Sequence, residues 1–342
     1  MRATNMWLIG GLSAGIGLIT LSLSSVAQPT SFTFAAAGDF YHRDEGDGLS
    51  FVKTVEAIRA DDPDFLLMLG DLSYASDEAT WCDYWKTTGK YEKLLLLSGN
   101  HDSGEDPGGN INKYISACAK AKVETKGDYG KQYYFDYPAT APLARFIMIV
   151  PGLGGTLLGP IDTRYDIGHP GYTFTEAAIK EARILGIKWI VVAMHKNYIT
   201  VGEKDNEIST DAKNSFLSML LAQKVDVILQ GHEHVYERSK QVTTNTSTCP
   251  VLRPDTFSQS CVVDDDNDLV KGAGTVIQIL GTGGRHLRRV KHVDSEYPYF
   301  ASSDATTYGF GKFTVSATTL AFKFQRSAGG TLNDAFIIKE AH

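Results

Sequence analysis

Nine side chains able to bind a metal or move a proton stand at five places in the chain: Asp39; Asp71 and Tyr74; Asn100, His101 and Asp102; His195; and His232 with His234. Carboxylates, imidazoles, one amide and a phenol form a mixed oxygen and nitrogen set. Such a set suits iron, manganese or zinc better than calcium or a thiolate-bound structural zinc. It is too large for one ion, whereas two ions sharing a bridging carboxylate would use seven of the nine. Two metals about 3.5–4 Å apart suit in-line displacement at phosphorus, one generating hydroxide and both neutralising charge. In "GHEH", Gly231 to His234, the histidines alternate off an extended segment, so each is able to serve a different ion. Taken singly the pieces are ordinary. A Gly-Asp at a strand end is usually a turn, and a lone strand histidine such as His195 is usually a core group. Their order, each at the end of an apolar run, is the specific feature.

Those runs are "FTFAAAGDF" (Phe32 to Phe40), "DFLLMLGDLSY" (Asp64 to Tyr74), "KLLLLSGNHD" (Lys93 to Asp102), "KWIVVAMH" (Lys188 to His195) and "VDVILQGHEH" (Val225 to His234). Turn residues bound each one, which predicts buried strands rather than helix pieces. Helical patterns lie between them at Ser50 to Ala60, Asp77 to Lys90, Tyr172 to Leu185 and Thr210 to Gln223. Strand, helix, strand at this rhythm predicts an α/β architecture with a largely parallel sheet wrapped by helices. Ligands of such sheets sit outside the carboxyl ends of the strands. Asp39 and Asp71 are 32 positions apart, Asp71 and Asn100 29. Both spacings match the ~30 residues of a strand-helix-strand unit, so the three should emerge side by side. The last third changes character: Thr275 to Gly284, Tyr308 to Arg326 and Asp334 to Glu340 read as strands and hairpins without helices. A second, antiparallel-rich sheet packed on the first is the expectation.

The 342 residues, 43% apolar and 21% charged, are enough for one large core. A formal charge of -7 with no basic run argues against nucleic acid as a partner. Residues 1–27 read as a secretory signal, basic at Arg2, apolar from Trp7 to Leu23 and ending in "SSVA"; a retained anchor is the competing reading. No other stretch is long and apolar enough to span a membrane. Residues 28–342 are then one domain, outside the cytoplasm. Export makes two disulfides the expectation for Cys82, Cys118, Cys249 and Cys261. Cys82 with Cys118 would tie two helices and Cys249 with Cys261 would close a polar loop; the other two pairings stay open. Asn245-Thr246-Ser247 is a glycosylation sequon, and "DDDND" (Asp264 to Asp268) reads as a solvated acidic loop.

In order, "GDF" at Gly38, "GDLSY" at Gly70, "GNHD" at Gly99, "VAMH" at Val192 and "GHEH" at Gly231 resemble the five motifs of the purple acid phosphatases, within the calcineurin-like metallophosphoesterases. "GTGG" at Gly281 resembles a late turn of that family. Tyr74 discriminates within the superfamily: most relatives carry Asp-x-His first, here Tyr41 stands at that histidine's place, and Tyr74 stands where the purple enzymes use a tyrosinate on iron. Tyr41 also replaces the second Gly of the family's Gly-Asp-x-Gly, and pleat alternation directs His42 away from a ligand role.

The resemblance implies a four-layer α-β-β-α sandwich, two mixed sheets flanked by helices. It implies Fe(III) held by Asp39, Asp71, Tyr74 and His234, and a divalent Fe, Zn or Mn held by Asp71, Asn100, His195 and His232. His101 would bind phosphate or protonate the leaving alcohol, with Asp102 orienting beside it. The implied activity is hydrolysis of small phosphomonoesters by hydroxide below neutral pH, by a secreted enzyme. A phosphodiesterase or nucleotide hydrolase with the same metals is the alternative, and a non-enzymatic binding protein on this scaffold the third reading.

Overall fold

The computed structural model describes residues 30–41, 48–204, 207–208, 210–245 and 247–340; the leader expected at 1–27 and His42 lie outside them. Strands β1 (Ser31–Ala37), β2 (Phe65–Met68) and β3 (Leu94–Leu95) are parallel neighbours, as the 30-residue spacing predicts. The helices are α1 (Gly48–Asp61), α2 (Glu78–Thr87), α3 (Asn100–Ser103), α4 (Ile111–Ala117), α5 (Pro170–Ile184) and α6 (Thr210–Ala222). Four of them fall on the predicted helical patterns; α3 and α4 do not. Pro170 starts α5 at a position that needs no N–H, and Gly186 at φ 73 ends it by a left-handed turn.

The chain continues through β4 (Lys126–Asp128), β5 (Gln132–Tyr137), β6 (Ala144–Met148), β7 (Trp189–Ala193), β8 (Val227–Gln230), β9 (Tyr236–Ser239) and the small ribbon of β10 (Gln241–Val242) with β11 (Val262–Asp264). It ends with β12 (Asp268–Val270), β13 (Val276–Leu280), β14 (Phe300–Asp304), β15 (Thr307–Ser316), β16 (Thr319–Gly329) and β17 (Ala335–Lys339). One sheet has the order β12-β17-β16-β15-β1-β2-β3, the other β14-β9-β13-β8-β7-β6-β5-β4. Both are mixed, as the resemblance implied. Two simpler expectations are corrected. The five motif strands do not share a parallel sheet, because the β4–β5 hairpin carries the chain out of the first sheet and β6, β7 and β8 open a second. The last third forms no sheet of its own: β13 pairs in parallel with β8, and β15 pairs antiparallel with β1.

Strand alternation builds the layers. Phe34, Phe65, Phe146, Val191, Val227 and Phe313 fill the space between the sheets. Phe34 is stacked on Phe313 at 4.4 Å and on Phe65 at 5.5 Å between ring centres, and meets Phe146 edge-on at 5.0 Å. The alternate residues Ala35, Ala37, Leu66 and Met68 face α1 and α2, and Ile190, Val192 and Ile228 face α5 and α6. Burial on both faces is why these strands read as unbroken apolar runs. Two disulfides close the outer surface, Cys82–Cys118 between α2 and the end of α4, and Cys249–Cys261 across the loop after β10.

Candidate metal centre

The motif residues lie where strands β1, β2, β3, β7 and β8 end, and the backbone turns sharply there to aim them. Asp39 (φ 60), Asp71 (φ 51), Tyr74 (φ 60) and His232 (φ 70) all adopt the left-handed conformation that L residues rarely take. For a residue as large as Tyr74 this is a genuine outlier, held by the surrounding structure. Glycine permits the crowding: a Cβ on Gly99 would fall on the Asp71 carboxylate, and one on Gly281 would fall on the Glu233 carbonyl and lie 2.9 Å from Asp39 Oδ2.

Two groups of donors meet in this pocket. In the first, the Tyr74 hydroxyl lies 2.9 Å from Asp39 Oδ1 and 2.8 Å from His234 Nε2. In the second, His195 Nε2 lies 2.9 Å from Asn100 Oδ1, 3.3 Å from Asp71 Oδ1 and 3.2 Å from His232 Nδ1. Asp71 is in direct contact with the second group, and its charge also acts on Tyr74 and Asp39 of the first. All seven predicted ligands are therefore brought together, every one of them buried apart from Tyr74, which is partly so. Asp71, His195 and His232 present donor atoms within 4.8 Å of one another and could hold a metal ion.

The imidazoles are oriented from behind. His195 Nδ1 donates to the Leu69 carbonyl at 2.8 Å and His234 Nδ1 to the His286 carbonyl at 2.9 Å, which leaves both Nε2 lone pairs facing the pocket. His232 points its Nδ1 inward, while its Nε2 lies 3.2 Å from Glu207 Oε2. Asn100 donates its amide to Asp106 at 2.6 Å, so its oxygen faces His195. Between the paired histidines, Glu233 turns away and accepts the N–H groups of Glu203 and Lys204, at 3.1 and 2.6 Å. Arg288 bonds the carbonyl of His232 at 3.1 Å and Glu233 at 3.2 Å, fixing the turn.

Ionisation follows burial and mutual charge. Burial pushes Asp39 up to about 7, against the pull of His195. Burial, and then Asp39 and Asp71, push the Tyr74 phenol well above 10.0. Burial works to raise Asp71 too, but His195 holds it well below the usual carboxylate range. His195 is lifted to about 9 by Asp71, in spite of burial; burial lowers His232 to about 4. Burial thus favours the neutral forms of Asp39 and of the Tyr74 phenol. A cation in the pocket would ionise both, so the donor set fits a metal centre.

His101 lies at the rim. Its Nδ1 donates to the Pro107 carbonyl at 2.6 Å, its Nε2 is 4.0 Å from Asp71 Oδ2, and its ring centre is 4.4 Å from that of Tyr74. Asp102 sits differently. Its buried carboxylate accepts the N–H groups of Gly99 at 2.9 Å and Leu72 at 3.1 Å, tying the turn after β3 to the turn after β2. It positions His101 and Asn100 rather than facing the pocket. Sequence reasoning missed Asp106, Glu207 and Arg288; Asp106 follows "GNHD" closely, whereas the other two carry no motif.

Residues 32–236 match the model of the calcineurin-like phosphoesterase family. The chain belongs to this family. Among its relatives, the Arabidopsis thaliana protein named "Purple acid phosphatase 21" is 26% identical over 216 residues, covering 61% of this chain and 45% of that one. The Arabidopsis "Probable inactive purple acid phosphatase 27" is 24% identical over 299 residues, covering 80% and 43%. This phosphoesterase chain thus spans less than half the length of either. In fold it is similar to the purple acid phosphatase PPD1 of yellow lupin (Lupinus luteus) seeds, with a TM-score of 0.62 at 18% identity, over 92% of this chain and 54% of that one.

Proposed function

We propose that this calcineurin-like phosphoesterase is an acid phosphatase of the purple type, cleaving small phosphomonoesters at a dinuclear Fe(III) and divalent Fe, Zn or Mn centre. The observation that carries the reading is Tyr74: its hydroxyl is within 2.9 Å of both Asp39 Oδ1 and His234 Nε2, the two other donors not shared with the second group. Asp39, Asp71, Tyr74 and His234 would hold the ferric ion, and Asp71, Asn100, His195 and His232 the divalent one. When bound, the two ions supply an activated water nucleophile and neutralise charge on the phosphoryl oxygens.

The chain's own residues supply the rest. His101 Nδ1–H is committed to the Pro107 carbonyl, which leaves Nε2 at the open rim to carry a proton to the leaving oxygen. Asp102 and Asp106 hold the turn that presents His101 and Asn100. Relatives named inactive raise the alternative of a binding protein. Against it stands a full set of seven donors with their backing hydrogen bonds, since loss of ligands is how such a scaffold stops catalysing. Two disulfides support an extracytoplasmic protein.

Metal analysis and the visible spectrum test the reading. A phenolate on Fe(III) absorbs visible light, and a phenol with a solution pKa of ~10 ligates in acid only on a strong Lewis acid. Protein made with iron present should be purple or pink, and Tyr74→Phe should bleach or shift the band with the fold intact. A colourless protein with two divalent ions, and a Tyr74→Phe variant of undiminished activity, would place it outside the purple type.

A further inference from the structure

Arg285 is a cation beside the candidate centre with no ion-pair partner among the described residues. Its backbone N–H donates to the Asp39 carbonyl at 2.9 Å, so its Cα is anchored to a candidate ligand. Its guanidinium carbon sits 4.6 Å from the ring centre of Tyr41 and 4.7 Å from that of Tyr74, in a notch whose two rings are 6.3 Å apart. No carboxylate among the described residues pairs with it, and its buried Nε has no hydrogen-bond partner. Its neighbour Arg288, by contrast, is bound to Glu233. Aromatic faces hold a guanidinium through its flat sides and leave its N–H edges free, and those edges match two oxygens of a phosphate.

We propose that Arg285 is a substrate-binding residue, donating to the non-bridging oxygens of a phosphate ester at the centre, and that Tyr41 positions it. The proposal rests on the phosphatase reading and deepens it. Tyr41 occupies the place where the family pattern has Gly, which would leave one wall of the notch missing. Tyr41 and Arg285 therefore form one device of this chain: the ring holds the guanidinium over Tyr74, and the guanidinium would add a third cationic group beside the two metal ions. A phosphoryl group with two negative oxygens is the matching ligand class.

The test uses the full chain as purified, with metals measured on every sample and inorganic phosphate as the probe. Phosphate is titrated by calorimetry and by its effect on the visible band. Arg285→Gln should keep both ions and weaken phosphate binding by about tenfold or more, the usual worth of a hydrogen bond to a charged group. It should raise KM more than it lowers kcat. Arg285→Lys should recover part of the loss, and Tyr41→Gly should weaken binding in the same direction by less. A wild type with two ions and an Arg285→Gln variant whose phosphate Kd stays within about twofold would overturn this inference and leave the phosphatase reading standing. A wild type that holds no pair of ions would sink both.

Discussion

Glu207 offers a sharp test of how the centre is built, because it should affect one ion and spare the other. Its Oε2 lies 3.2 Å from His232 Nε2, on the far side of the ring from the Nδ1 that faces His195. Glu207→Gln removes the negative charge there and keeps an oxygen of similar size. A carboxylate behind a metal-binding histidine typically governs metal affinity by 10- to 100-fold. The Glu207 side chain is 37% exposed, so solvent screens it and the low end applies, about tenfold or ~1.4 kcal/mol. Lys196, which Glu207 meets at 3.2 Å, retains Glu105 at 2.8 Å, so the fold should persist. The assay is chelator competition on the loaded protein, with metal content and visible absorbance followed together. The divalent ion should leave at about one-tenth the chelator concentration, while the Tyr74 band stays. Unchanged affinity would show that Glu207 does not act on His232, and loss of both ions in step would refute the division of ligands between two metals.

Three further outcomes follow from the same structure. His101→Ala should keep both ions and slow hydrolysis by roughly 10² to 10⁴, less for aryl than for alkyl phosphates; equal losses on the two in steady-state assays would remove its role as proton donor. Glu237 is fully buried, and burial holds its carboxyl well above 4.5 despite the N–H of Val201. A raised folded pKa means stability that is full below about 4.5 and lost as pH rises through the folded value. Glu237→Gln should therefore flatten the fall in thermal stability between acid and neutral pH, and melting curves of unchanged slope would contradict that. Replacing Cys82 and Cys118 by serine opens a loop with a sequence separation of 36, worth about 4 kcal/mol in the chain-entropy account, against about 3 for the separation of 12 between Cys249 and Cys261. Denaturant titrations that rank the two pairs the other way would show that native contacts, not loop length, set the difference.

The chain's own order determined a great deal. Apolar runs bounded by turns located β1, β2, β7 and β8, because strands buried on both faces must be apolar throughout. The 30-residue spacing put β1, β2 and β3 side by side, since a strand and its return helix consume that length. The seven donors were legible as residue types at strand ends, where backbone polar groups turn outward and side chains converge. What the sequence left undecided is what depends on distant pairing. Nothing local told β8 to run beside β13 in one sheet, or β15 beside β1 in the other, because an apolar strand accepts either neighbour. The hairpin of β4 and β5 was missed although Tyr133 and Phe135 alternate inward along "QYYFDY". Glu207 behind His232, Arg288 across the "GHEH" turn and Arg285 between Tyr41 and Tyr74 join residues from 25 to 244 positions apart or lean on exposed loops. Such contacts leave no periodicity or motif. They exist only once two sheets have closed on one core and brought the ends of β1, β2, β3, β7 and β8 to the same place.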